Sequence, residues 1–154
     1  MKLRGFEQVS EQHRKHPNVD IQLPKRGDSR SAGYDIYLPH DIEIPPREAK
    51  LVFSDVKAYM QSDEVLMLYV RSSIGVKKGI VLSNGTGIID ASYFSNLDND
   101  GNIGLALYNR TDEVVKLKAG ERICQGVFIK YLTVDNDECI NNERKGGFGS
   151  SGEK

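Results

Sequence analysis

The stretch GIVLSNGTGIIDASY, Gly79 to Tyr93, reads as one β-hairpin with a single acid at its far end. Gly79 to Leu82 is a short apolar strand. Asn84-Gly85 is a strong short-range turn signal, because both residue types tolerate positive φ. Ile88-Ile89 starts the return strand and Asp90 follows directly. A carboxylate beside two isoleucines and three residues before a tyrosine stands where apolar burial is ending. That position suits a charge at the mouth of a pocket. It equally suits a surface acid that closes a hairpin.

Outward from this stretch, the chain has the size of one domain. At 154 residues it can bury roughly 70% of the surface its unfolded form exposes. The net charge of −1 leaves no field of one sign over the molecule, which argues against a dedicated nucleic-acid binder. The opening MKLRGFEQV has no apolar run of signal-peptide length, and no segment approaches a membrane span. Cys124 and Cys139 lack CxxC or His-rich spacing. The expectation is a cytoplasmic chain with reduced thiols, no zinc and no membrane partner. Cys124, inside a strand pattern, reads as a small buried hydrophobe.

The punctuation is that of an all-β protein. Short apolar runs recur roughly every eight to fifteen residues and are broken by Gly, Pro, Asn and Asp. Strands are expected at Leu3–Val9, Val19–Leu23, Tyr34–Leu38 and Lys50–Phe53. Val65 to Val70 is continuously apolar, as in a strand buried on both faces. Ile103, Leu105 and Leu107 alternate with small residues, and Ile123 to Tyr131 is a long strand with Val127 and Ile129 on one side. Only Ser72 to Lys78 has room for a helical turn or two. Residues 10–18 are polar and read as a mobile loop. The expected organisation is a β-domain over residues 1–135 and a flexible Gly-rich tail over 136–154.

Several local patterns need weighing. Gly147 to Gly152 matches GxGxxG, but the chain ends two residues later, so no strand and helix follow to make a dinucleotide site. Such tails are often plain linkers. Here Arg144, Lys145 and freed Gly amides can also wrap an anion, and Phe148 can lie flat on a base. Asn96, Asp98, Asp100 and Gly101 match the start of a calcium loop. The twelfth position is Leu107 rather than Glu, so a polar hairpin turn is the better reading. His13, His16 and His40 show no ligand spacing. Arg71-Ser72-Ser73 ends an apolar strand abruptly. It can be a surface cap or a set of donors to phosphate oxygens.

Together these segments resemble the trimeric dUTPase family. Five motifs stand in the family's order: AGYDI (Ala32–Ile36), RSSIG (Arg71–Gly75), the stretch from Asn84 through GIIDASY (Gly87–Tyr93), ERICQ (Glu121–Gln125) and RKGGFGSSG (Arg144–Gly152). The opening MKLRGFE and the later LPKR are similar to Gram-positive bacterial or phage members. The resemblance implies a jelly-roll-like β-barrel, in agreement with the strand pattern. It also implies a homotrimer whose sites take motifs from more than one chain and are closed by the C-terminal tail.

The implied reaction is hydrolysis of dUTP to dUMP and pyrophosphate, which limits uracil in DNA and supplies dUMP for dTMP synthesis. By resemblance, Asp90 orients and deprotonates the water that attacks the α-phosphorus. Mg²⁺ is held mainly by the phosphates, with Asp35 reaching its water shell. Arg71, Ser72 and Gln125 bind phosphate oxygens, and Ser73 adds a backbone or hydroxyl donor. Arg144, Gly149, Ser150 and Ser151 secure the γ end when the tail shuts. Asn84, Gly87 and Ile89 read the uracil edge. Tyr93 packs under the deoxyribose and excludes a 2′-hydroxyl, and Phe148 covers the base.

This chain departs from the family pattern at four places. Ser92 stands where Asp is common. Phe94-Ser95-Asn96 replaces a frequent Arg-Gly-Glu, and residues 97–101 resemble a short insertion. Arg144 lies one residue closer to Phe148 than in many members. Three other readings stay open on sequence: an enzyme similar to dCTP deaminase, a protein-binding regulator of dUTPase fold that uses residues 10–18 and 97–101, and an inactive structural trimer, disfavoured because every proposed catalytic position is filled.

Overall fold

The computed structural model describes residues 1–141, Arg144 and Gly146. Among these are twelve strands. They are β1 Gly5–Gln8, β2 Lys25–Arg26, β3 Tyr34–Tyr37, β4 Ile42–Ile44, β5 Ala49–Phe53 and β6 Val56–Tyr59. They continue as β7 Glu64–Val70, β8 Ile80–Leu82, β9 Gly87–Asp90, β10 Gly104–Asn109, β11 Val115–Leu117 and β12 Arg122–Lys130. The largest sheet runs β2-β3-β12-β7-β9, a second runs β5-β10-β8, and β1-β6 and β11-β4 form two-stranded ribbons. Every strand pair is antiparallel. Neighbours are mostly far apart in sequence, which is the jelly-roll-like organisation that the resemblance implies.

One core joins the sheets. Ile36, Leu66, Leu68 and Ile89 from the large sheet meet Val52, Ile80, Leu82, Leu105 and Leu107 from the second. Ile42, Ile44 and Leu117 close one end. Each such side chain contributes about 1.5–3 kcal/mol on burial. The alternation of Ile103, Leu105 and Leu107 is therefore explained, since all three are fully buried.

The Gly79–Tyr93 stretch is not a hairpin. The turn is present: Gly85 has φ +75° and its amide bonds the Leu82 carbonyl at 2.9 Å. The flanking strands, however, do not pair with each other. β8 pairs with β10, and β9 pairs with β7. Strands this short satisfy more of their backbone groups against long neighbours than against each other. The turn therefore crosses from one sheet to the other and holds the two strands apart.

Three further expectations are corrected. Val19–Leu23 pairs with no strand. Its Ile21 carbonyl instead accepts a bond from Gln8 Nε2 at 3.2 Å, and pairing starts after Pro24. Residues 10–18 are tied down rather than loose. The Ser10 amide bonds the Asp100 carboxylate at 2.8 Å. The Lys15 and His16 amides bond the Asp55 carboxylate at 2.8 and 2.7 Å, and His16 Nε2 donates to the Phe53 carbonyl at 3.0 Å. Finally, residues 97–101 do not turn a hairpin, since β9 and β10 lie in different sheets.

Asp100 shows what the loop gains. Burial pushes its carboxyl up, but the Ser10 amide and Lys57 outweigh that and hold it below the usual carboxylate range. Lys57 Nζ lies 2.9 Å from Asp100 and 4.7 Å from the centre of the Phe94 ring.

β7 is buried on its inner face, whereas its outer face opens from buried Val65 through half-buried Met67 to exposed Tyr69. Leu66 and Leu68 point into the core, whereas Tyr69 is 37% exposed. Register places Val127 opposite Met67 and Met67 opposite Ile88, so these share the outer face. Ile88 is 54% and Ile129 is 41% exposed there. An apolar sheet face left open on a single chain marks an interaction surface. No helix among the described residues is long and apolar enough to cross a membrane.

Candidate active site

Because β8 and β9 diverge, a slot of about 250 Å³ opens between the two sheets. Leu82, Gly104 and Ala106 form one wall, and Leu68, Gly87 and Ile89 form the other. Asn84, Thr86 and Tyr93 also line it. Its width depends on small residues. A Cβ on Gly87 would sit 2.9 Å from Leu68 Cβ. Gly104 and Ala106 leave the facing wall thin.

Asp90 follows Ile89 out of the slot. Its side chain is 53% exposed and lies 3.3 Å from Arg144 Nη1. The Arg144 guanidinium stands 5.5 Å from the Tyr93 ring centre and lines the slot. Tyr93, on a 3₁₀ turn at Ala91–Tyr93, is 6% exposed. Burial pushes its phenol up, opposed by the hydrogen bond from Asn99 and by the Arg144 charge.

A second cavity, of about 270 Å³, lies at the other end of the large sheet. Asp35, Arg71, Ser72 and Gln125 line it, with Gly27, Asp28, Ser31, Gly33 and Arg122. Asp35 is held between two arginines, Arg71 Nε at 3.3 Å and Arg122 Nη1 at 3.2 Å. Three groups rich in hydrogen-bond donors converge here with a paired carboxylate, a composition suited to phosphate oxygens. Gly33 allows the β3 backbone to pass against the Gln125 side chain, which occupies the space a Cβ would need. Ser73 sits on the adjoining helical turn, Ser73–Lys77, and does not line the cavity.

The sequence-derived candidates thus fall into two groups. Asn84, Gly87, Ile89, Tyr93, Asp90 and Arg144 gather at the slot. Asp35, Arg71, Ser72 and Gln125 gather at the donor-rich cavity. Phe148, Gly149, Ser150 and Ser151 lie outside the described residues. Arg122 escaped the sequence reading although it stands inside ERICQ, because its ion pair is with β3, far away in sequence. The cluster Gly27-Asp28-Ser29 before AGYDI was a turn signal that could have been followed.

The two groups are separated along the sheet. Gln125 registers with Tyr69, and Asp90 registers with Val65. Four residues along β7 and two strand spacings across it amount to roughly 16 Å between their backbones. No group of three or more His, Cys, Asp or Glu placed to hold a metal occurs among the described residues. The Cys124 thiol, fully buried, is pushed up to about 12 and is no nucleophile.

These features agree with the relatives of the chain. The dUTPase family profile matches residues 19–152. A deoxyuridine 5′-triphosphate nucleotidohydrolase of Lactococcus lactis is 48% identical over 153 residues, covering 99% of both chains. One from Rattus norvegicus is 38% identical over 84% of this chain and 61% of its own. A crystal structure of dUTPase from Streptococcus mutans superposes with TM-score 0.75 at 44% identity, covering 85% of this chain and 98% of that one. The motif order, the fold and these likenesses agree, and this chain belongs to the dUTPase family.

Proposed function

We propose that this chain hydrolyses dUTP to dUMP and pyrophosphate. The observation that carries the reading is the slot between the sheets, sized by Gly87, Gly104 and Ala106, with Asp90 at its exit. A planar pyrimidine fits such a slot edge-on to the Asn84–Gly87 backbone. Cytosine would present a donor where uracil presents an acceptor and leave buried groups unpaired, which can be worth about 10⁴-fold or more. A thymine methyl would meet the narrow wall. Tyr93 bounds the sugar end.

Asp90 takes a proton from a water as that water's oxygen bonds the α-phosphorus. The bond from the α-phosphorus to the bridging oxygen breaks, and pyrophosphate leaves with that electron pair. Arg71, Arg122, Ser72 and Gln125 bind the phosphate oxygens, which is the positioning and charge neutralisation phosphoryl transfer requires. The residues present fit Mg²⁺ only indirectly, since the Asp35 carboxylate is already occupied by two arginines. Asp35 would hold the ion through water, with the phosphates as its main ligands. When bound, Mg²⁺ supplies further charge neutralisation on the triphosphate. Arg144, paired with Asp90 in the free chain, is assigned to the γ-phosphate and Phe148 to the face of the base.

The roughly 16 Å between the Gln125 and Asp90 backbones is too long for an α-phosphorus to engage both groups within one chain. We therefore assign each complete site to a slot of one subunit and a donor cavity of another, in a homotrimer. The open face at Tyr69, Ile88 and Ile129 supplies the apolar contact.

The test is pyrophosphate release with Mg²⁺ from dUTP, dTTP, dCTP and UTP in parallel. Release from dUTP alone is expected. Ammonia from dCTP, or silence on all four from folded protein, would overturn the reading. The slot itself is tested by Gly87→Ala. The added methyl meets Leu68 Cβ, close to the backbone and unable to swing aside. The KM for dUTP is expected to rise about tenfold, with overpacking costing about 1–3 kcal/mol of stability. An unchanged KM would place the base elsewhere.

A further inference from the structure

We propose that Asn99 is a positioning residue for Tyr93: it fixes the ring that bounds the sugar end of the slot and thereby sets discrimination between deoxyribose and ribose. This rests on the slot being the deoxyuridine site.

Tyr93 lies on a 3₁₀ turn rather than in a sheet. Its ring direction is therefore set by side-chain contacts. The phenol donates to the Asn102 carbonyl at 2.6 Å and accepts from Asn99 Nδ2 at 2.8 Å. A ring held at its para oxygen from two directions cannot tilt about its Cβ. Asn99 cannot flip its amide, because Oδ1 is already taken by Asn96 Nδ2 at 2.8 Å and the Gly101 amide at 3.0 Å.

Asn96 in turn organises the turn. Its Oδ1 accepts the Asp98 and Asn99 amides at 3.0 and 3.1 Å, and its Nδ2 also donates to the Tyr93 carbonyl at 2.8 Å. The turn is then fastened at its far end. Asp100 holds Lys57 and the Ser10 amide, and Asn102 clasps Asp55. The polar run 96–102 is thus anchored to Ser10, Lys57 and Asp55 at one end and presents the Asn99 side chain and the Asn102 carbonyl to the phenol at the other.

Excluding ribose requires the ring to stay put when an added hydroxyl presses on it. Packing alone lets an aromatic ring yield, whereas two hydrogen bonds at its tip resist the tilt. Loss of the Asn99 bond should relax sugar selection more than it slows turnover of the correct substrate.

The experiment compares wild type, Asn99→Ala, Tyr93→Phe and the double variant by kcat/KM for dUTP and for UTP. The dUTP to UTP ratio is expected to fall about tenfold in Asn99→Ala, at least as far in Tyr93→Phe, which also loses the bond to the Asn102 carbonyl, and no further in the double than in Tyr93→Phe. Tyr93→Phe removes that bond while leaving Asn99's own bonds to Asn96 and Gly101, so it reports even where Asn99→Ala folds poorly. A ratio unchanged in Tyr93→Phe and in folded Asn99→Ala, or effects that add in the double, would overturn the proposal. Wild type inactive on dUTP would show that the functional reading itself had failed. The same variants are then compared by dissociation constants for dUMP and UMP, where an unchanged ratio overturns this proposal and a lowered one sustains it.

Discussion

Asp90→Asn is expected to lower kcat for dUTP by about 10²–10⁴-fold while leaving nucleotide affinity nearly unchanged. The substitution keeps size and shape, so the exit of the slot is undisturbed. It removes the one property the reaction needs there, the capacity to accept a proton from water. Asp90 is half-exposed and its ion pair with Arg144 is at the surface, so folding does not depend on it. The check is single-turnover pyrophosphate release beside calorimetric binding of a non-hydrolysable α,β-imido analogue. A full rate from the Asn variant would remove Asp90 as the base. Lost binding with lost rate would point instead to a role in holding the nucleotide.

Asp55→Ala is expected to be the most damaging substitution for stability. Asp55 is 0% exposed and sits between β5 and β6 with φ +59°. Its carboxylate accepts from the Lys15 and His16 amides and from Asn102 Nδ2. Its own amide donates to Asn102 Oδ1 at 2.8 Å. Alanine would strand three donors and would keep a left-handed backbone without a side chain that tolerates it. The combined cost is about 4 kcal/mol. For a chain of this size that is a melting-temperature drop of about 8–16 °C. Trypsin should also begin to cut after Arg14 or Lys15, since the loop loses its anchor. An unchanged melting temperature would show that the network is ornamental.

These two residues mark what could and could not be read from sequence. Asp90 could be singled out locally only as an acid where apolar burial ends, two isoleucines before it and a tyrosine three residues after, and its assignment as the base came from the family resemblance. AGYDI and RSSIG likewise acquired roles only through the resemblance, and the structure gathers Asp35, Arg71, Ser72 and Gln125 at one cavity. Asp55 was not legible, because a carboxylate between two short apolar runs looks like any turn residue. Its partners come from positions 15, 16 and 102. The same non-local pairing hid the true arrangement around Asn84-Gly85. Turn chemistry identifies a reversal but says nothing about which sheet each arm joins. Composition misled at residues 10–18, where polar side chains concealed backbone amides already committed to Asp55 and Asp100. Arg122 was missed because only the β3–β12 register brings it to Asp35.

The crossing of β8 and β9 into separate sheets carries a consequence for how such a chain can change. Its slot is not an opening between loops that can be lengthened or trimmed without cost. It is the gap between two hydrophobic layers, and its width is the spacing at which Leu82 and Ala106 face Leu68. With the slot as the proposed base site, a mutation deep in the core that swells or shrinks that spacing is expected to retune base selection without touching a nucleotide. Drift in the interior, ordinarily silent as long as the chain still folds, would on that assignment alter which nucleotides the chain accepts.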